Sequence, residues 1–383
     1  MEKPQKHIIV IAGEASGDMH AAALIREIRS LNPNVTFSGL GGTQMEEAGV
    51  HLYANLVDLA VMGFAEVLKH LGRFKNLFLL ALKKIEETNA DCVILIDYPG
   101  FNLRLARRIK ELKLNAKVIY YISPQVWAWH KERVHFIKKY VDHMLVLFSF
   151  EEEFYRKHEM TAVSFVGHPL LDIIKVSVDR KKIFETYGLS NDKLTIAILP
   201  GSRKNEVQRH LDIMMQAAQI LYSEFTKIQF ILLKAPTLSE TVFHGIIEKH
   251  TTLPFLILHK QAYDGINASD FCIVASGTAT LETAILQKPM VIMYKTSFLT
   301  WLIAKIFVKI PYIGLVNVVA GKKIVPECVQ FNCTPQKVAD EIRAMMTNET
   351  KIAEIKQELK KVKESLGSPG ASRRAAEIIL KLL

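Results

Sequence analysis

Val274-Ala-Ser-Gly-Thr-Ala-Thr-Leu-Glu282 is an apolar run that breaks into small residues and then resumes at helical spacing. With the preceding Phe271-Cys-Ile-Val274 it predicts a buried strand, a sharp turn at Ser276, Gly277 and Thr278, and a helix bearing Glu282 one turn in. The first amides of a helix lack intrahelical acceptors and sit at the positive end of its dipole, so an anion suits that turn. Taken alone the stretch reads equally well as an ordinary capped helix after a strand. A second turn of the same kind follows Ile196-Ala-Ile-Leu199, as Pro200-Gly-Ser-Arg203. Gly201 admits a close-approaching group, Ser202 adds a hydroxyl, and the Arg203 guanidinium can fork onto phosphate oxygens. Two such turns in one half point to a diphosphate.

Outward from this pair, the chain alternates strand and helix along most of its 383 residues, long enough for two α/β domains of roughly 150 to 200 residues each. In the second half, strands are expected at 194–199, 228–233, 254–258, 271–274 and 289–293. In the first half they are expected at 7–12, 35–38, 92–97, 117–122, 144–148 and near 164. The stretch 170–190 reads as the crossing between halves. His7-Ile-Ile-Val-Ile-Ala12 leads into Gly13-Glu-Ala-Ser-Gly-Asp18 and a helix, which opens a doubly wound sheet with its ligand end at the loop. The Gly13 to Gly17 spacing fits neither the dinucleotide fingerprint nor the P-loop, which disfavours NAD or ATP.

The ligand ends of the first half carry the other chemistry. Asp97 stands at the end of Cys92-Val-Ile-Leu-Ile96, before Tyr98-Pro-Gly100 and Asn102, and reads either as a cap for that turn or as a base in a cleft. Trp127 and Trp129 lie two residues apart in a loop; they pack under it or line an apolar or sugar pocket. Segment 62–84 interleaves apolar residues with Lys69, His70, Arg73, Lys75, Lys83 and Lys84. It is either a pair of helices packed on the sheet or an interfacial face meeting lipid phosphates. Segment 298–310, with Trp301, Lys305 and Lys309, leaves the same choice.

An excess of 49 Lys and Arg over 39 Asp and Glu gives a net charge of +10, suited to phosphate-bearing partners or an anionic membrane. The cations are spread over helices with no aromatic-interleaved stripe, so nucleic acid is not expected. The four cysteines show no CxxC spacing, which points to a reducing cytosol. No secretory signal is expected at the N-terminus, and no run reaches about 18 uninterrupted apolar residues.

Gly13-Glu-Ala-Ser-Gly-Asp18, Ile96-Asp-Tyr-Pro-Gly-Phe-Asn102, Ser123-Pro-Gln-Val-Trp-Ala-Trp129, Phe165-Val-Gly-His168, Leu199-Pro-Gly-Ser-Arg203, Ser276-Gly-Thr-Ala-Thr-Leu-Glu282 and Asn317 before Gly321 together resemble the lipid-A-disaccharide synthase family, essentially end to end. The resemblance implies a GT-B type α/β fold of two facing Rossmann-like doubly wound domains with C-terminal helices. The expected partition is 1–180 for the acceptor and membrane side, 181–345 for the UDP-sugar side, and 346–383 for terminal helices exchanged in a homodimer.

The implied reaction is inverting glycosyl transfer from UDP-2,3-diacylglucosamine to 2,3-diacylglucosamine 1-phosphate in lipid A and lipopolysaccharide synthesis, by a peripheral protein of the cytoplasmic face of the bacterial inner membrane. No cofactor is implied, and the lack of an Asp-x-Asp pair disfavours a metal-held sugar nucleotide. The expected base is Asp97, with Glu14 and Asp18 as competitors; some relatives carry an aspartate where this chain has Gly100. Ser16, Gly17, Asn102, Trp127 and Asn317 are expected to position substrate. Gly201, Ser202, Arg203, Ser276, Gly277 and Thr278 would hold the diphosphate, and Glu282 the ribose. A UDP-N-acetylglucosamine 2-epimerase-like isomerase is the rival on the same fold.

Overall fold

The computed structural model describes residues 6–57, 71–128, 132–235, 238–250, 252–298, 300–302 and 311–383, with Leu71 described in its backbone only. Trp129, most of the first half of segment 62–84, and 303–310 lie outside the described residues.

The chain is α/β and divides into two compact units, one of residues 1–172 with 366–383 and the other of residues 173–365. The first unit holds a seven-stranded parallel sheet: β1 (Lys6–Ala12), β2 (Val35–Gly41), β3 (His51–Asn55), β4 (Cys92–Ile96), β5 (Lys117–Tyr121), β6 (His143–Val146) and β7 (Val163–Phe165). Its order is β3-β2-β1-β4-β5-β6-β7. The second unit holds β8 (Leu194–Leu199), β9 (Ile228–Lys234), β10 (Phe255–His259), β11 (Phe271–Ala275), β12 (Met290–Tyr294) and β13 (Glu327–Val329), in the order β10-β9-β8-β11-β12-β13. Both sheets are doubly wound, and the winding reverses between β1 and β4 in one and between β8 and β11 in the other. At those reversals the loops leave in opposite directions and open a crevice at the carboxyl ends of the strands.

The central strands form because they are continuous β-branched and aliphatic runs that a sheet covered on both faces can bury whole. Ile8 to Ala12 and Cys92 to Ile96 are all buried, as are Ile196 to Ile198 and Cys272 to Val274. Two strands were not expected from the sequence, β3 and β13. Both are edge strands of five and three residues with half-buried side chains, so neither has an apolar run to announce it.

The described part of segment 62–84 resolves its choice toward packing. The helix Leu71–Glu87 buries Leu77, Ala81, Leu82 and Ile85, and half-buries Phe78 and Leu80 against the same core. Phe78 meets Phe101 edge-on at 5.5 Å. Only Leu79 on that helix is a large exposed apolar side chain among the described residues. No described helix is long and apolar enough to cross a membrane.

The chain's last helix, Ala371–Leu382, belongs to the first unit and lies on the helix Ala15–Leu31, burying Ala371, Ala375, Ala376 and Ile379. Its N-terminus is capped from afar: the Asp172 carboxylate accepts from the Gly370 and Ala371 amides at 2.6 and 3.2 Å. Arg374 then donates to three main-chain carbonyls, of Val166, Pro369 and Ser368, at 2.8, 2.8 and 2.6 Å. One guanidinium thus satisfies carbonyls of two segments of the first unit that lie far apart in sequence. Arg374→Ala removes these charge-assisted bonds, that to buried Val166 above all, and should cost about 2 kcal/mol of first-unit stability. Denaturant unfolding checks this, with UDP affinity as the control expected to stay unchanged.

Candidate active site

In the second unit a pocket of about 560 Å³ opens at the β8/β11 reversal. Parallel register sets Leu199 against Val274, so the turns after these strands stand side by side. One contributes Gly201, Ser202 and Arg203 and the other Ser276, Gly277, Thr278 and Glu282, and all seven line the pocket. The two phosphate-suited turns of the sequence therefore meet in one place.

The first turn is shaped by Glu206, at the third position of the helix Lys204–Glu224. Its Oε2 accepts from the Ser202 and Arg203 amides at 3.1 and 3.3 Å. Gly201 has φ of 116°, and a Cβ there would fall 2.5 Å from Glu206 Oε2, so the turn excludes a larger residue. Arg203 makes a long 3.4 Å contact with Glu206 Oε1 and leaves 78% of its side chain exposed. That guanidinium has reach and solvent freedom to close on an anion.

The second turn differs in detail from the expectation. The Ser276 amide donates to Met293 O at 2.8 Å and its hydroxyl to Ile313 O at 3.1 Å, so Ser276 braces the turn. The Thr280 amide donates to Gly277 O at 3.1 Å, which leaves those of Thr278 and Ala279 as the opening donors of the helix Thr278–Ile285. Glu282 sits in that helix, mostly buried, its carboxyl raised above the usual range by desolvation and accepting from Tyr263 OH at 3.3 Å. Tyr263 and Asp264 come from the first turn of the helix Ala262–Ala268 after β10, Lys234 ends β9, and Lys175 and Ser177 come from the crossing segment; these also line the pocket. Asp264 is itself engaged, accepting from the Ser177 and Val178 amides at 2.7 and 3.0 Å.

Asn317 does not face the pocket. It is fully buried, donating to Val325 O and Glu327 Oε1, both at 2.9 Å, and accepting from the Ile324 and Val325 amides at 2.9 and 3.1 Å. Glu327 in turn accepts from the Ile313 and Gly314 amides. Asn317 thus acts on the turn only through Glu327, Ile313 and Ser276, as a pin of the loop rather than a ligand contact.

In the first unit the β1/β4 reversal holds the remaining candidates. Ala12 pairs with Ile96, so Glu14 and Ser16, at the start of the helix Ala15–Leu31, lie beside Asp97. Asp97 and Tyr98 both adopt φ of 47°, two consecutive left-handed residues that cost of order 1–3 kcal/mol each and persist only where surroundings enforce them. Asn102 is the enforcer: wholly buried, its Nδ2 donates to Ile96 O at 3.1 Å and Asp97 O at 2.8 Å, and Tyr120 OH also donates to Asp97 O. Gly13 allows the Tyr98 ring to fold over it, since a Cβ there would lie 2.2 Å from Tyr98 Cδ1. The Asp97 carboxyl is left partly exposed, its pKa pushed up to about 6 by burial and then by the neighbouring Glu14 charge.

Asp18 is not available as a base. It is buried and accepts from the Gly42, Gln44 and Met45 amides at 2.8, 3.0 and 3.2 Å, capping the short helix after β2. Gly17 is buried against Ala12 and Ile96, while Glu14 and Ser16 are exposed. Trp127 is half-buried, its indole Nε1 donating to Glu151 Oε1 at 3.0 Å and its ring edge-on to Phe150 at 5.1 Å. Of the sequence-derived set, Asp97, Glu14 and Ser16 gather at one reversal, and Gly201, Ser202, Arg203, the 276–278 turn and Glu282 at the other. Asn102, Asp18 and Asn317 are internal supports. Tyr98, Tyr263, Lys234 and Lys175 escaped the sequence reading, although Lys234 stands where β9 ends and could have been found from that alone.

The sequence matches the family described as lipid-A-disaccharide synthetase over residues 8–382. Among curated proteins it is 43% identical to the lipid-A-disaccharide synthase of Syntrophus aciditrophicus, covering 99% of this chain and 98% of that one. It is 40% identical to that of Trichlorobacter lovleyi, with 99% and 98% covered, and 38% identical to that of Geobacter sulfurreducens, with 100% and 98% covered. Solved structures of similar fold include a UDP-GlcNAc 2-epimerase from Neisseria meningitidis bound to UDP-GlcNAc, with a TM-score of 0.65 at 13% identity over 98% of this chain and 100% of that one. The glycotransferase of kitacinnamycin gives 0.66 at 13% identity, with 100% of both chains covered. At such identity these two carry the fold alone, whereas relatives matched end to end near 40% carry the family: the chain belongs to the lipid-A-disaccharide synthetase family.

Proposed function

We propose that the protein joins the glucosaminyl group of UDP-2,3-diacylglucosamine to the 6-hydroxyl of 2,3-diacylglucosamine 1-phosphate, forming a β-1,6 disaccharide 1-phosphate and releasing UDP. Family membership sets the reaction class, and the observation that carries the reading to residues is the meeting of Arg203 and the 276–278 turn in one pocket. In this reading the acceptor's 6-oxygen gives its proton to Asp97 and attacks the anomeric carbon. The bond from that carbon to the diphosphate breaks on the opposite face, and UDP leaves with the electron pair. Arg203 and the opening amides of Thr278–Ile285 meet the growing negative charge. Glu282 is suited to the ribose hydroxyls. Asp97 suits its part because a carboxyl with a pKa near 6 is ionised at neutral pH yet more basic than a solvated one.

The reading extends to a UDP-sugar donor, a peripheral seat on an anionic membrane surface, and a homodimer in which the terminal segments are exchanged. Incubation with both diacyl substrates should yield UDP and a disaccharide in equal amounts. Conversion of a UDP-sugar without consumption of any acceptor sinks the proposal in favour of an isomerase.

A further inference from the structure

Among the described residues, four of the eight large apolar side chains exposed in the second unit, Phe298, Leu302, Ile313 and Phe331, come from the segments that follow β12 and β13. Phe298 is 62% exposed and Phe331 is 66% exposed, with Trp301 ring-to-ring with both, at 5.9 Å from the first and edge-on at 5.1 Å to the second. Leu302 and Ile313 are exposed as well. The arrangement is built rather than accidental. Gln330 adopts φ of 50° immediately before Phe331, and its side chain accepts from Thr296 N and donates to Thr296 O, both at 3.1 Å. That pair of bonds ties the segment of Phe298 to the segment of Phe331.

The platform leaves the same sheet edge as the pocket. Ser276 bonds Met293 O at the end of β12, and Lys295 and Thr296 follow at once; its hydroxyl bonds Ile313 O. Cations flank it: Lys295 is exposed, and Arg209 reaches Thr296 Oγ1 at 3.4 Å. Clustered aromatic rings bordered by Lys and Arg match the boundary between acyl chains and anionic headgroups. A second copy is the poorer occupant, because two chains of +10 would bring cationic rims together.

We propose that Phe298, Trp301, Leu302 and Phe331 form the face by which the second unit enters an anionic bilayer surface, beside the pocket mouth. The inference rests on reading the substrates as acyl-chained sugars: a donor held there keeps its sugar in the pocket while its chains stay in lipid.

The test is cosedimentation with vesicles of phosphatidylglycerol and phosphatidylethanolamine, comparing the parent with a Phe298→Ser, Phe331→Ser double variant. Neither side chain lines the pocket, so UDP affinity should be unchanged while the vesicle partition coefficient falls about 10-fold or more. Brominated acyl chains should quench tryptophan emission in the parent and less so in Trp301→Phe. Unchanged partition of the double variant overturns the proposal, as does a shift of its mass from dimer to monomer, which would assign the face to a second copy. Turnover by the parent on detergent-dispersed substrates is measured separately, so failure of the reaction and failure of the lipid face are told apart.

Discussion

Asp97→Asn lowers kcat by about 10³-fold while leaving UDP affinity intact and the fold more stable, which together separate a base from a structural carboxylate. Asparagine is among the non-glycine residues that best tolerate the left-handed φ of 47° at this position, and its backbone carbonyl keeps the bonds from Asn102 and Tyr120. What is removed is the charge. The stability sign follows from the shift: the pKa of Asp97 stands near 6 in the fold against 3.8 for an ordinary aspartate, so folding favours its neutral form. The stability this group contributes is whole below 3.8 and is lost as pH rises through about 6. At pH 8 the parent therefore carries a penalty on the order of 2–3 kcal/mol that the asparagine lacks, readable as a higher denaturant midpoint. The rate shows the same ionisation from the other side. kcat/KM of the parent should climb with pH through about 6 and level off above. Because Glu14 is the charge that adds to burial in raising Asp97, Glu14→Gln should move that limb to lower pH. A variant with full turnover, or a parent profile flat between pH 5 and 8, removes Asp97 from the role.

Much of this site was legible because a doubly wound sheet fixes where ligands go once its strands are known. The apolar runs read at 7–12, 92–97, 194–199 and 271–274 are the strands that flank the two reversals, while their order within each sheet came from the structure. Sequence does not tell a polar side chain that faces a ligand from one that satisfies buried main chain, since turns need both. Asp18, Asn102 and Asn317 stand in the quoted motifs for the second reason: each answers two or more main-chain groups. Exposure was equally hidden. Leu77, Phe78 and Leu80 look like a lipid face in sequence but meet the first unit's core, while Phe331, alone among polar neighbours, gave no sign of standing in solvent. Such differences arise from packing between segments far apart in the chain, which local pattern cannot register.

Arg203→Ala should lower kcat/KM by roughly 10²- to 10³-fold, the cost of removing one donor aimed at developing charge. The residue is poised for that task. Its amide is fixed by Glu206, its carbonyl accepts from the Glu206 and Val207 amides, and its guanidinium is the one mobile part. The long contact with Glu206 is a resting place: at 78% exposure it contributes little to stability and is easily exchanged for a diphosphate. Unfolding midpoints should therefore stay within about 0.5 kcal/mol of the parent, as for an exposed substitution. Lysine restores charge but not the planar fork, so Arg203→Lys should recover only part of the loss. The split between kcat and KM decides what the arginine does. A loss carried by KM and matched in UDP affinity means that Arg203 grips the nucleotide equally in ground and transition states. A loss carried by kcat means that it closes on the leaving group only as the glycosidic bond breaks. Its single long contact with Glu206 favours the second outcome, because a guanidinium ordered on phosphate before reaction would have little further to gain. Retention of full kcat/KM in Arg203→Ala would leave the leaving group to the helix amides and take the arginine out of the mechanism.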